Sequence, residues 1–248
     1  MQPRHLAVFP FIGLVFLTAC GGDSGGSGSD SSTPINSTVF AEPWPADING
    51  VYTAVHADLA NDHDIAPGGA PPYTAAVNYA PVDVIGHSMG VDEGFLYIRF
   101  DFGGIIPLDK DPVPASGEIE AQTVRSQSIS INFNSDGDLG TGAGGEGIDG
   151  IDIFFAFSLD YGHPPHIYTN YGFPDGDIHN HLGHAEGELG MGGPGYDHVV
   201  MRFRIADFSA YLPIGVSLDY GGWSEAESNL YHHFSFDPML PGSFYIHP

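Results

Sequence analysis

Phe95-Leu96-Tyr97-Ile98-Arg99-Phe100-Asp101-Phe102 puts Leu96, Ile98, Phe100 and Phe102 on one side of an extended chain and Tyr97, Arg99 and Asp101 on the other. A strand turns successive side chains to opposite faces, so this period of two predicts a strand with one buried face. The pattern recurs. Ser128 to Asn134 aims Ile129, Ile131 and Phe133 one way; Ile151 to Leu159 does the same with Ile151, Ile153, Phe155, Phe157 and Leu159; Val199 to Ile205 repeats it with Val199, Met201, Phe203 and Ile205. Shorter candidates are Val51 to Val55, Val82 to Ile85, Ile214 to Tyr220, Tyr231 to Phe236 and Phe244 to Ile246. Glycine and proline supply 35 and 20 of the 248 residues and interrupt the chain often enough to deny it long helices. Short strands divided by Gly, Pro, Asn and Asp turns predict an all-β fold, an antiparallel β-sandwich of jelly-roll type with long Gly/Pro/His-rich loops. Residues 41–248 are read as one such domain, because about 210 residues suit one large sandwich better than two domains.

Outside that domain the N-terminus carries its own signals. Arg4 and His5 precede a twelve-residue apolar run, Leu6 to Leu17, broken only by Pro10 and Gly13. A membrane-spanning helix needs ~20 apolar residues, so the run is read as a signal peptide covering residues 1–19. Leu17-Thr18-Ala19-Cys20 resembles the bacterial lipobox, which implies cleavage before Cys20 and diacylation of its sulfur. Cys20 is the only cysteine of the chain, so it has no internal disulfide partner in an exported domain. Residues 20–40 begin with a Gly/Ser/Asp run that has nothing to bury and reads as a flexible tether. Two or three acyl chains, each contributing ~0.8 kcal/mol per buried methylene, would hold the protein on a lipid bilayer. Gly21 rather than aspartate follows the cysteine, which in enteric-type sorting implies the outer membrane, on its periplasmic or surface face.

Charge narrows the partners. The chain has 31 acidic and 6 basic side chains, a net of −25, and removing residues 1–19 takes away Arg4 and no acid. A nucleic-acid partner is not expected, because binding one requires a cationic footprint. Anionic headgroups are disfavoured for the same reason.

From Ala80 to Phe208 the order of features resembles the group containing family 9 carbohydrate-binding modules and DOMON domains. The matching pieces are Pro81-Val82-Asp83-Val84-Ile85, Gly94 to Phe100, Gly103-Gly104-Ile105-Ile106-Pro107, Ile131 to Asp138 running on to Thr141-Gly142, Gly147 to Asp152, and the strand from His198 to Ile205. The resemblance covers about half of the chain and implies a sandwich that binds a ligand, carbohydrate being the first candidate. Sugar-binding members commonly use tryptophan, whereas Trp44 and Trp223 both lie outside the matching block. Tyr161, Tyr168 and Tyr171 are the candidate stacking residues instead.

Two stretches carry possible metal chemistry. Asn134, Asp136 and Asp138 alternate through a turn, a spacing that lets their oxygens converge on a hard cation such as calcium, with Glu146, Asp149 or Asp152 completing the shell. Leu139 stands where an EF-hand requires glycine and Gly145 where it requires glutamate, so this is not an EF-hand. The same residue types are also ordinary turn formers. The second stretch runs from His163 to His198 and holds six histidines. His179 and His181 fall on one side of an extended chain and His184 follows after a short turn, so the three suit zinc or copper, with Asp175, Asp177 and Glu186 close enough in sequence to serve as a fourth ligand or to support the first three. Gly190-Met191-Gly192-Gly193-Pro194-Gly195 marks this stretch as a long loop, and the plain alternative is a polar surface loop.

No Gly-x-Ser-x-Gly, His-Glu-x-x-His or Ser-x-x-Lys pattern occurs. The expectation is a non-enzymatic, membrane-anchored exported lipoprotein whose sandwich binds a ligand and is braced by calcium. The alternatives are a zinc- or copper-binding protein using His179, His181 and His184, and a structural or adhesive surface protein.

Overall fold

The computed structural model describes residues 52–58, 60, 79–107, 109–115, 120–144, 149–160, 163, 165–192, 197–213, 215–230 and 234–246. Cys20, the signal peptide, the tether, Trp44, Glu146 and Tyr161 lie outside the described residues.

Among the described residues, twelve strands form two antiparallel sheets. They are β1 (Tyr52–Ala57), β2 (Val84–Asp92), β3 (Phe95–Phe102), β4 (Asp111–Val113), β5 (Gln122–Asn134), β6 (Ile153–Asp160), β7 (His166–Tyr171), β8 (Gly183–Glu186), β9 (Glu188–Gly192), β10 (His198–Arg204), β11 (Ser217–Ser228) and β12 (Ser235–Tyr245). One sheet has the order β1-β2-β3-β10-β9; the other runs β12-β11-β5-β6-β7-β8, with β4 pairing β5 at one end. The expected all-β sandwich is therefore present.

Alternation accounts for how the sheets meet. Leu96, Ile98 and Phe100 from β3, Ile129, Ile131 and Phe133 from β5, Ile153, Phe155 and Phe157 from β6, and Val199, Met201 and Phe203 from β10 join one buried cluster. Nearly all are completely shielded from water. At ~25 cal/mol per Å² of apolar surface, this burial is the main term favouring the fold, and it needs no disulfide.

Several strands outrun their sequence patterns. β5 starts six residues before Ser128, and β12 joins the two short candidates around Phe236 and Phe244 into one strand. β11 continues eight residues past Tyr220 by pairing β5 and β12 at once, with a register shift between Tyr220 and Gly222. Gly222 is required there, since a Cβ would lie 2.2 Å from the carbonyl oxygen of Ser130. The repeated pentapeptide Ser-Leu-Asp-Tyr-Gly has no common structural role: Ser158-Leu159-Asp160 closes β6, whereas Ser217-Leu218-Asp219 opens β11.

The largest departure concerns the His-rich stretch. It forms three strands, β7, β8 and β9, rather than one long loop. β8 pairs with β7 at the edge of the larger sheet, and β9 pairs with β10 at the edge of the smaller one, so the chain passes between sheets at Gly187. A Cβ at Gly187 would sit 2.4 Å from the Phe203 ring and 2.7 Å from Ile167, which is why the crossing residue has no side chain.

A polar pair crosses the core. His87 on β2 is buried, with its Nε2 2.6 Å from the Tyr220 hydroxyl across the sandwich. Its ring stacks on His56 at 5.1 Å, and its Nδ1 has no hydrogen-bond partner. Burial, helped by the charge of His56, lowers the His87 pKa from 6.5 to about 4. The imidazole is thus neutral at physiological pH.

Candidate functional site

The register of β7 with β8 builds a polar cluster on the outer face of the larger sheet. Tyr168 faces Glu186 and Asn170 faces His184. Residues two apart share a face, so His166, Tyr168 and Asn170 stand beside His184 and Glu186, while Ile167 and Thr169 turn into the sandwich. Behind them lies a second, smaller apolar cluster of Ala143, Ile151, Phe154, Ala156 and Phe173, against which Tyr168 and Ile178 pack. The Tyr168 ring meets Phe154 edge-on and stacks beside both imidazoles, 4.7 Å from His166 and 5.8 Å from His184. Burial raises the Tyr168 pKa, so the phenol remains protonated and neutral.

Glu186 is the centre of the cluster. Its carboxylate lies 2.9 Å from His184 Nε2 and 3.2 Å from His166 Nε2. Partial burial works to raise the Glu186 pKa, but hydrogen bonds from His184 and His166, and then their charges, outweigh it and hold the carboxyl below its ordinary range. On its other side His184 places Nδ1 2.6 Å from the Asn170 Oδ1. An amide oxygen only accepts, so Nδ1 carries the hydrogen. With Nδ1 donating to Asn170, Nε2 faces the Glu186 oxygen at 2.9 Å, a gap that a proton or a metal ion can bridge.

The spacing suits a metal. His166, His184 and Glu186 each offer one ligand atom, all within 4.8 Å of one another. Around a tetrahedral ion with bonds of ~2.0–2.1 Å, ligand atoms sit roughly 3.4 Å apart, close to the separations already present. All three side chains are exposed, so a fourth position would remain open to solvent.

This set differs from the one expected from spacing. Only His184 of the predicted His179, His181 and His184 belongs to it. His179 and His181 fall in the turn before β8, where the Asp177 side chain accepts the His179 amide hydrogen, and neither is among the three side chains whose ligand atoms converge. Glu186 is already a fourth-ligand candidate by its nearness in sequence, whereas His166 was missed because its partnership with Glu186 depends on strand register across twenty residues. The sequence signals available were the i, i+2 pair His184-x-Glu186 and the alternation His166-x-Tyr168-x-Asn170.

The acidic turn is held by its own side chains. Asp152 accepts hydrogen bonds from the Ser135 amide and hydroxyl and from the Asp136 amide. Asp136 accepts from the Asp138 amide and the Thr141 hydroxyl, Asp138 from the Gly140 amide, and Asn134 from the Gly137 amide. Asp149 is exposed, and its backbone oxygen lies 3.5 Å from the Asn134 amide nitrogen. Among the described residues, no three carboxylates of this turn bring ligand atoms within 4.8 Å of one another. The oxygens expected to face calcium serve as caps for backbone N–H groups.

Tyr168 and Tyr171 do not form a shared platform. Three residues apart on β7, they point to opposite faces: Tyr168 packs among the histidines, and the Tyr171 hydroxyl donates to the backbone oxygen of Asp207 at 3.0 Å.

Comparison of the chain with protein-family models, with curated proteins and with solved structures found no match.

Proposed function

We propose that this protein is an exported, lipid-anchored binder of a divalent transition-metal ion, zinc or copper, held by His166, His184 and Glu186. The observation that carries the reading is the close approach of His184 Nε2 to the Glu186 carboxylate while Asn170 occupies Nδ1. Asn170 thereby fixes the tautomer and ring orientation that a metal-bound imidazole needs. Two imidazoles and one carboxylate suit zinc or copper better than calcium, which prefers six to eight oxygens. The opening Leu17-Thr18-Ala19-Cys20 supports the lipid anchor and an extracytoplasmic location, the outer membrane being the first candidate.

Metal analysis and zinc titration of the full chain test the binding reading. One ion per chain is expected, lost in His166→Ala and Glu186→Gln, and weakened about 10- to 100-fold in Asn170→Ala. His179→Ala and His181→Ala should bind like the parent. If those two lose the ion while His166→Ala keeps it, the assignment fails.

Anchoring has a separate test. Cells fed a labelled fatty acid should incorporate it into the protein, and Cys20→Ala should abolish the label and move the protein from the membrane fraction to the soluble one. A Cys20→Ala chain that stays in the membrane would overturn the lipid anchor.

A further inference from the structure

A cleft of about 510 Å³ adjoins the His/Glu cluster and shares His184 and Glu186 with it. Phe95 and Tyr171 supply aromatic wall, and Arg202 and Arg204 supply positive charge. That placement is notable in this chain, which has only six Lys and Arg residues against thirty-one acids. The two arginines are not equivalent. Arg202 is held by Glu188 at 2.6 Å and lies over the Phe95 ring at 4.9 Å. Arg204 is exposed, and among the described residues no ion pair or hydrogen bond engages its guanidinium.

Charge in the cleft depends on the metal. Counting carboxylates and guanidinium groups alone, Glu186, Glu188 and Asp207 outnumber Arg202 and Arg204 by one, a formal −1. A divalent ion on His166, His184 and Glu186 turns that to +1. The ion has three protein ligands and an exposed fourth position, which an anionic oxygen can fill.

Building on the metal reading, we propose that this cleft binds a small organic carboxylate whose carboxyl group meets the bound ion and Arg204, with its apolar body against Phe95. Guanidinium groups favour carboxylates because their paired N–H donors match the two oxygens. A cleft of this volume lies within the range that encloses small ligands. Because the same ion both coordinates the carboxylate and reverses the local charge, metal and acid bind cooperatively, and each strengthens the other equally.

Cobalt(II) replaces zinc as a visible probe of the full chain, with benzoate as the test acid, acetate as the bare carboxylate and benzyl alcohol as the uncharged ring. Cobalt uptake is measured first and should vanish in His184→Ala. Benzoate should then shift the cobalt bands of the parent protein at lower concentration than acetate, and benzyl alcohol should leave them unchanged. Arg204→Ala should bind cobalt within twofold of the parent yet require at least tenfold more benzoate. Cobalt affinity should rise in the presence of benzoate by the factor by which cobalt raises benzoate affinity. Absent cobalt uptake would overturn the metal reading and this one with it. Cobalt uptake with no benzoate response, or with equal responses in the parent and Arg204→Ala, would overturn the cleft alone.

Discussion

Phe155→Ala should cost about 4 kcal/mol of folding stability, the largest loss expected from any single truncation named here. Phe155 is wholly buried at the middle of β6. Its ring meets Phe133 of the neighbouring strand at 5.7 Å, Phe203 of the opposite sheet at 4.7 Å, and Phe208 beyond β10 at 5.2 Å. Removing it deletes a contact between the sheets and leaves a cavity that three rings, each on a different element, cannot close together. With domain stabilities of about 5–15 kcal/mol, such a loss takes a large share of the total. For a chain of this length it corresponds to a fall in Tm of roughly 8–16 °C. Leu182, an exposed residue of the turn before β8, is the matched control: Leu182→Ala should stay within about 0.5 kcal/mol. Thermal and urea unfolding of the two variants check this. A Phe155→Ala loss below about 1 kcal/mol would mean that the sheets do not pack through this ring.

The second large effect is a loss of stability on acidification that traces to His87. Its pKa is about 4 in the folded protein, against 6.5 as the reference for an exposed histidine. Below pH 6.5 the unfolded chain takes up a proton that the folded chain refuses, so the neutral imidazole's advantage is complete above pH 6.5. It declines as the pH falls and levels off below about 4. At ~1.4 kcal/mol per pH unit, the loss across that window is about 3 kcal/mol. Three groups face the ring or its partner: His56 by stacking, Tyr220 by its hydroxyl, and Asp58, whose charge acts on Tyr220. The many surface carboxylates also titrate near the lower end, so the readout is the difference between the parent and His87→Leu in urea unfolding at pH 7.5, 6, 5 and 4. The variant is expected to be less stable at pH 7.5, because the Tyr220 hydroxyl loses its partner, and to close that gap as the pH falls. Parallel curves would show that His87 is not the group responsible.

Core and site were legible in the sequence to different degrees, for one physical reason. Side-chain alternation is a local property, so Leu96, Ile98, Phe100, Ile129, Phe133, Phe155, Phe157, Val199 and Phe203 could be assigned to the core by period alone, and all of them are buried there. β8 and β9 are short, and glycine, polar or charged residues fill most of the positions in Gly183–Glu186 and Glu188–Gly192, so neither shows a marked apolar alternation. Their polar residues look like loop until pairing partners are known. β7 does alternate, through Ile167, Thr169 and Tyr171, but one weakly apolar residue among its three inward positions hid the pattern. The pH-sensitive pair is a similar case: nothing near His87 in sequence marks it as buried against Tyr220, 133 residues away.

The sequence by itself determined the all-β class, the identity of the core faces and the strongly acidic surface, since composition and period-two patterning act through neighbours along the chain. It also showed that histidine and carboxylate were concentrated between His163 and His198. Which of them meet was decided only by tertiary structure. The β7–β8 register sets His166 beside Glu186, the outer apolar cluster props Tyr168 against two imidazoles, and the passage through Gly187 brings β8 next to Arg202 and Arg204. Each of these is a non-local contact, chosen by how two sheets close over a shared core.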